Sequence, residues 1–175
     1  MDFFVQSYET LTVFMDKGGP ILYWIMLVTF LMWVLIIERL WYLKFIFKSD
    51  QQRIQIIWEN RKERKSWYAH KIRAALISKA SGRLTQGMNI IKTLVALCPL
   101  VGLLGTVTGM IEVFEIMAIL GSGNARAMAD GVSKATIPTM AGMVAALSGI
   151  FIATYLEKRI ARGSYILEDS LVMDH

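Results

Sequence analysis

Pro99-Leu-Val-Gly-Leu-Leu-Gly-Thr-Val-Thr-Gly109 is apolar enough to lie in a bilayer, yet it packs a proline, three glycines and two threonines into eleven residues. A passive anchor has no use for that mixture. On a helix, Gly102, Gly105, Thr106 and Gly109 recur at i, i+3, i+4 and i+7, so they form one stripe without bulk where another helix can approach backbone to backbone. Two readings stay open for this stripe: tight helix packing alone, or packing by a surface that also lines an ion path.

Working outward, charge is missing on both sides of this stretch and around two others. No charged residue occurs in the 20 positions between Lys17 and Glu38, the 19 between Lys92 and Glu112, or the 22 between Lys134 and Glu157. Each gap can cross a bilayer, which takes about 20 residues at about 1.5 Å rise per residue. The remaining composition agrees: 55% hydrophobic and 19% charged residues are wrong for a soluble domain of 175 residues. The expectation is an all-α membrane protein with three transmembrane helices, over 20–43, 90–119 and 130–158. An amphipathic periplasmic helix precedes them (1–19), a basic cytoplasmic helical segment joins the first two (44–89), a short periplasmic turn joins the last two (120–129), and a cytoplasmic tail follows (159–175).

Orientation follows from the basic residues. The segment 44–89 holds eleven Lys and Arg against three acids, a surplus of eight, which places it in the cytoplasm. The N-terminal flank has only Lys17, the second turn only Arg126, and the tail Lys158, Arg159 and Arg162, so the N-terminus is expected outside and the C-terminus inside. The formal charge of +5 is therefore a topology signal, with attraction to anionic membrane lipids of about 1 kcal/mol per basic residue near the surface. It gives no reason to invoke nucleic acid. Asp2 and Glu9 stand where a cleaved signal peptide would be basic, so none is expected.

Phe3, Phe4, Tyr8, Leu11, Phe14 and Met15 recur at helical spacing, as in an interfacial amphipathic helix. Gly18-Gly19-Pro20 then breaks the chain before it enters the membrane, and Tyr23, Trp24, Trp41 and Tyr42 form aromatic belts at the two ends of the first span. The run Arg61 to Lys65 reads as a solvated helix face, with a partner or lipid contact as the alternative.

The third span carries the remaining chemistry. Asp130 and Lys134 stand at i and i+4 in the favoured acid-first order. A lysine there must face protein, pair, or snorkel outward, since burial at the bilayer centre costs about 2.5 to 3.5 kcal/mol. Pro99 and Pro138 are candidate helix kinks; Pro138 also leaves the carbonyl of Lys134 without its helical donor. Thr139, Gly142, Ala146, Gly149 and Ala153 continue a second smooth stripe, against which another helix is expected to fit. Glu38, Arg39, Glu112 and Glu115 lie at span ends and read as interfacial anchors, with a proton-relay role as the alternative. Cys98 reads as a packing residue, and His70 and His175 are isolated, so no metal or cofactor is expected. No Ser/His/Asp set or phosphate-binding glycine loop is present, which argues against an enzyme.

Pro99 to Met110 and Gly131-Val-Ser-Lys-Ala-Thr-Ile-Pro-Thr-Met-Ala-Gly-Met-Val-Ala-Ala146, with the turn Gly121 to Met128 between them, resemble the ExbB/TolQ/MotA family of ion-driven membrane motors in its ExbB branch. The resemblance covers about half of the chain closely. It implies an inner-membrane subunit that forms a ring-shaped homo-oligomer, a homopentamer, around the single helices of an ExbD-like partner whose intramembrane aspartate takes up and releases protons. The proton-motive force then does work on a TonB-like protein, which opens outer-membrane transporters for iron-siderophore and similar cargo. The family's pore threonines map onto Thr106 and Thr139, and Lys134 falls on the same proton-path wall, with a stabilising or gating role. Gly102, Gly105, Gly109, Gly142 and Gly149 are the helix-packing stripes, against neighbours or partner helices.

Two departures stand beside the match. Lys134 occupies a position where many ExbB and TolQ chains carry glutamate, so proton uptake would rest on the partner. The cytoplasmic region is also short, as in the compact type that accompanies accessory TonB systems. A TolQ-like or MotA-like stator for another load and a non-conducting oligomeric scaffold are the rivals; flagellar stators usually have a fourth span. The chain has no internal inverted repeat of the kind that builds a solute transporter.

Overall fold

The computed structural model describes residues 2–60, 67–120 and 125–171. The basic run Arg61 to Lys65, the turn Gly121 to Asn124 and His175 lie outside the described residues, as do the side chains of the N-terminal apolar face from Phe3 to Phe14. The described chain is helical throughout. Its elements are α1 (Asp2–Trp41), a π turn (Tyr42–Ile46), α2 (Phe47–Glu59), α3 (Trp67–Thr85), α4 (Met88–Leu120) and α5 (Ala125–Ser170). Three stretches are long and apolar enough to cross a membrane, within Gly18–Ile46, Trp67–Ile119 and Met128–Ser170. The all-helical, three-span expectation holds.

The break expected at Gly18-Gly19-Pro20 is real and sits on one residue. Gly19 has φ 66° and ψ −170°, a region that only glycine enters without strain, and Pro20 restarts the helix where its missing N–H costs nothing. Pro99 and Pro138, by contrast, lie inside α4 and α5 without interrupting either helix. Where the first span was expected to end, the chain continues through the π turn into α2. Likewise α5 runs on past Lys158 to Ser170.

The chain divides into two compact units, Met1–Trp33 with Thr93–Ile150 and Val34–Lys92 with Phe151–His175. In the first, α1 turns Leu22, Ile25, Val28 and Met32 inward, where Val28 clusters with Cys98 of α4 and Ala146 of α5. Its outward faces remain apolar: Trp24, Phe30, Leu103, Val107 and Val144 are exposed, a surface suited to lipid or to other helices rather than to water.

The second unit packs by large side chains. Trp58 of α2, Ala69 of α3 and Leu171 form one cluster, joined by Ile54, Leu76 and Ile77. Arg73 of α3 forks onto the end of α5, its Nε donating to the Leu171 carbonyl and its Nη2 to the Glu168 carbonyl, both at 2.7 Å. Those carbonyls belong to a helix end that has no intrahelical donors left, so the guanidinium satisfies them and complements the helix dipole. Lys92 and Glu157 form an exposed ion pair between α4 and α5. The α3 to α4 joint is two residues, Gln86 and Gly87. Gly87 takes φ 78° as the left-handed residue that ends α3, and its carbonyl accepts from Ile91 N–H at 3.1 Å as α4 begins.

Candidate functional site

The two small-residue stripes meet each other. A Cβ built on Gly102 would stand 3.0 Å from the Pro138 carbonyl oxygen and 3.0 Å from Thr139 Cα; one on Gly142 would stand 2.6 Å from the Cys98 carbonyl oxygen and 3.2 Å from Gly102 Cα. These neighbours are backbone and cannot yield. Further along, a Cβ on Gly105 would run into the Pro138 ring and come within 3.1 Å of Ile21 of α1, and one on Gly109 would lie 2.7 Å from Ala135 Cβ. Gly149 is closed in by Met32 and Val95, at 2.5 and 2.7 Å from the same construction. The helix that fits against each stripe is therefore the partner helix of the same hairpin, with α1 closing over part of it.

Thr139 ties this seam. Its hydroxyl donates to the Gly102 carbonyl at 2.9 Å, across the α5 to α4 contact. That oxygen is already the natural acceptor for the N–H one turn on, so the threonine adds a second donor to a carbonyl that only the missing side chain of Gly102 leaves reachable. Thr106 lies one turn further along α4, half-buried, with its hydroxyl donating to its own helix at the Leu103 carbonyl at 2.7 Å. Thr108 does the same at the Leu104 and Gly105 carbonyls, 3.1 and 3.0 Å away. A hydroxyl whose proton is committed to backbone presents oxygen lone pairs outward, an arrangement that can accept a hydrogen bond from water or a protonated acid.

The charged sequence candidates do not join the seam. Lys134 is exposed, and among the described residues no ion pair links it to Asp130, which is exposed as well. Glu112 and Glu115 are exposed near the end of α4. Pro138 is fully buried and fills the space that Gly105 leaves open, so its position is explained by packing against a glycine as well as by its effect on its own helix. Cys98 is buried in the Val28 and Ala146 cluster, as a packing residue.

Sequence reasoning missed Arg39. Read as an interfacial anchor at the end of a span, it is buried, with Nη1 donating to the Arg83 carbonyl at 3.3 Å and its guanidinium lying against Gly87. The only signal was indirect: a glycine, Gly87, at the helix joint where something large had to fit. Arg73 was missed too, because its acceptors are carbonyls nearly a hundred residues away.

Comparison with known proteins places this hairpin among others. The model of the MotA/TolQ/ExbB proton channel family matches residues 43–169. A protein of Synechocystis sp. named as a biopolymer transport protein, ExbB-like 1, is 40% identical over 81 residues, covering 45% of this chain and 32% of that protein. Biopolymer transport protein ExbB of Xanthomonas campestris pv. campestris is 33% identical over 82 residues, 47% of this chain and 32% of that one. The chain thus spans about a third of the length of these two relatives. ExbB-like 1 of Helicobacter pylori is matched nearly end to end, 23% identical over 171 residues that cover 87% of this chain and 90% of that protein.

Proposed function

Because the chain belongs to the MotA/TolQ/ExbB proton channel family, we infer that it is the stator and channel subunit of a proton-motive-force-driven machine in the bacterial inner membrane, of the ExbB-ExbD type that energises TonB-dependent outer-membrane transport. The observation that carries this reading is the family match over residues 43–169, which takes in all of α4 and all but the last residue of α5. The named ExbB relatives support the ExbB branch over TolQ or MotA. In this reading five copies surround the single helices of an ExbD-like partner, N-terminus in the periplasm and C-terminus in the cytoplasm. A partner carboxyl supplies the proton-binding group, and Thr106 and Thr139 flank its path.

The geometry fits such a part. A wall next to a moving, protonating helix must be smooth and must keep its own shape while the partner shifts. The glycine seam gives α4 and α5 that rigidity from within, and the threonines offer oxygen lone pairs without bulk. Lys134, exposed on α5, takes a stabilising or gating role rather than that of a proton carrier. The driving energy is about 2.3 kcal/mol per charge moved through 100 mV.

The test is a tagged pull-down from native membranes with mass spectrometry of the intact complex. Recovery of a single-span protein with an acidic residue in its span, together with a TonB-like protein, is the expected result. Recovery of the chain alone as a homo-oligomer would overturn the energy-transducing reading in favour of a scaffold.

A further inference from the structure

Among the described residues, Arg39 is the only charged side chain that is buried, with 7% of its surface exposed. A guanidinium carries five N–H donors in a fixed fork. Here Nη1 makes one long bond, 3.3 Å to the Arg83 carbonyl, the Tyr42 ring lies 5.6 Å from Cζ, and Nε is buried with no hydrogen-bond partner. Among the described residues no carboxylate pairs with it. Glu38 is its neighbour in sequence, and adjacent helical side chains diverge. Asp50 is engaged elsewhere, by Arg83 at 3.4 Å and by the Tyr42 hydroxyl, which donates to it at 3.4 Å. A buried cation in this state is costly unless a counter-charge completes it.

An opening for that counter-charge is present. A cleft of about 300 Å³ is lined by Glu38, Arg39, Tyr42, Asp50, Arg83 and Gln86. Two residues after Gln86, Met88 begins α4, a helix of 33 residues whose first N–H groups favour negative charge. So the cleft gathers an unpaired buried guanidinium, a second arginine and a side-chain amide, beside two carboxylates.

We propose that this cleft binds an anionic phosphoryl group, with Arg39 as the principal ligand and Arg83 and Gln86 as supporting donors. A tetrahedral oxyanion accepts hydrogen bonds from guanidinium N–H groups that have no protein acceptor, and planar guanidinium forks suit phosphate oxygens. Asp50 offsets Arg83, and Glu38 stands exposed at the rim where water screens it. With two arginines against two carboxylates the lining is formally neutral, which fits a singly charged phosphodiester better than a doubly charged ion. Two sources share this chemistry, an anionic phospholipid head group and soluble phosphate. The end of the apolar stretch of α1 is where a head group would lie. This inference is independent of the load that the complex drives.

The test is isothermal titration of the purified full-length chain in non-ionic detergent with dihexanoylphosphatidylglycerol, inorganic phosphate and dihexanoylphosphatidylcholine. The expected result is that phosphatidylglycerol or phosphate binds at least tenfold more tightly than phosphatidylcholine, and that Arg39→Gln and Arg83→Gln each lose at least tenfold. Phosphate weaker than phosphatidylglycerol by tenfold assigns the lipid source; phosphate equal to it or tighter assigns the soluble one. If Arg39→Gln fails to fold, as judged by helicity and a single elution peak, Arg83→Gln decides, since its exposed side chain is not part of the core. Equal binding of phosphatidylcholine, no binding of either anion, or undiminished binding by folded Arg83→Gln would overturn the proposal.

Discussion

Residues 1–33 and 93–150 meet where side chains are missing, whereas residues 34–92 and 151–175 meet through long ones. In the first unit, Gly102 and Gly142 bring two helix backbones to within a methyl group of each other, and Thr139 bridges them with a hydroxyl. In the second, Arg73 reaches across to the last turn of α5, and Trp58 fills the space beside Ala69 and Leu171. The contrast has a physical basis. Inside a bilayer lipid is as apolar as leucine, so helices gain from close backbone approach more than from added apolar bulk. Where water is the solvent, burying large apolar surface and capping helix ends are the larger sources of stability.

That contrast can be pressed hardest at Thr106, where function and stability should separate. Thr106→Leu is expected to abolish energised uptake while leaving yield and melting temperature unchanged; intact uptake in whole cells would take Thr106 off the proposed proton path. The next largest effect is on folding. Gly142→Leu places a side chain against the Cys98 carbonyl, and about 3 kcal/mol or more of destabilisation is expected from overpacking a site that cannot relax. Thermal unfolding in detergent would read it, and a wild-type melt would mean the seam is looser than described.

Arg73→Met keeps the length of the side chain and removes the fork. Losing charged hydrogen bonds of this kind should cost about 2 kcal/mol, with faster amide exchange confined to the last two turns of α5. Protection unchanged there would show that the cap is dispensable. Thr139→Val, nearly isosteric, should cost about 0.6 to 1 kcal/mol, with Thr139→Ser close to wild type; equal loss in both would point to the methyl group instead of the hydroxyl. Smallest is the exposed Lys92 and Glu157 pair, where Lys92→Met should change stability by no more than about 0.5 kcal/mol. A larger loss would mean that surface charge does in the second unit what the glycines do in the first.

How much of this was legible beforehand differs between the units for the same reason. Absent charge and absent bulk leave a visible mark in sequence, so the three spans, the break at Gly19 and both glycine stripes could be read directly. That the stripes face each other could not, because periodicity gives a face and not its occupant. In the second unit the decisive contacts are long-range and go to backbone, as with Arg39 on the Arg83 carbonyl and Arg73 on Glu168 and Leu171, and no residue type announces a carbonyl acceptor. How far α5 runs was not legible, because Lys158, Arg159 and Arg162 end an apolar run without ending a helix; Gly163 there lies against the Phe47 ring, where a Cβ would stand 3.0 Å from it.

The five residues Tyr42–Ile46 adopt a wider turn than the helices on either side. Such a turn accommodates one residue more than an α-helical turn does, and one residue is worth about 100° of azimuth. The turn therefore works as a phase shifter: it lets the apolar ridge of α2 point where α1 alone would not have aimed it. Deleting a single position in that stretch would straighten the screw and swing Trp58 off Ala69, so chain length between Trp41 and Phe47 is as much a part of the second unit's core as any side chain in it.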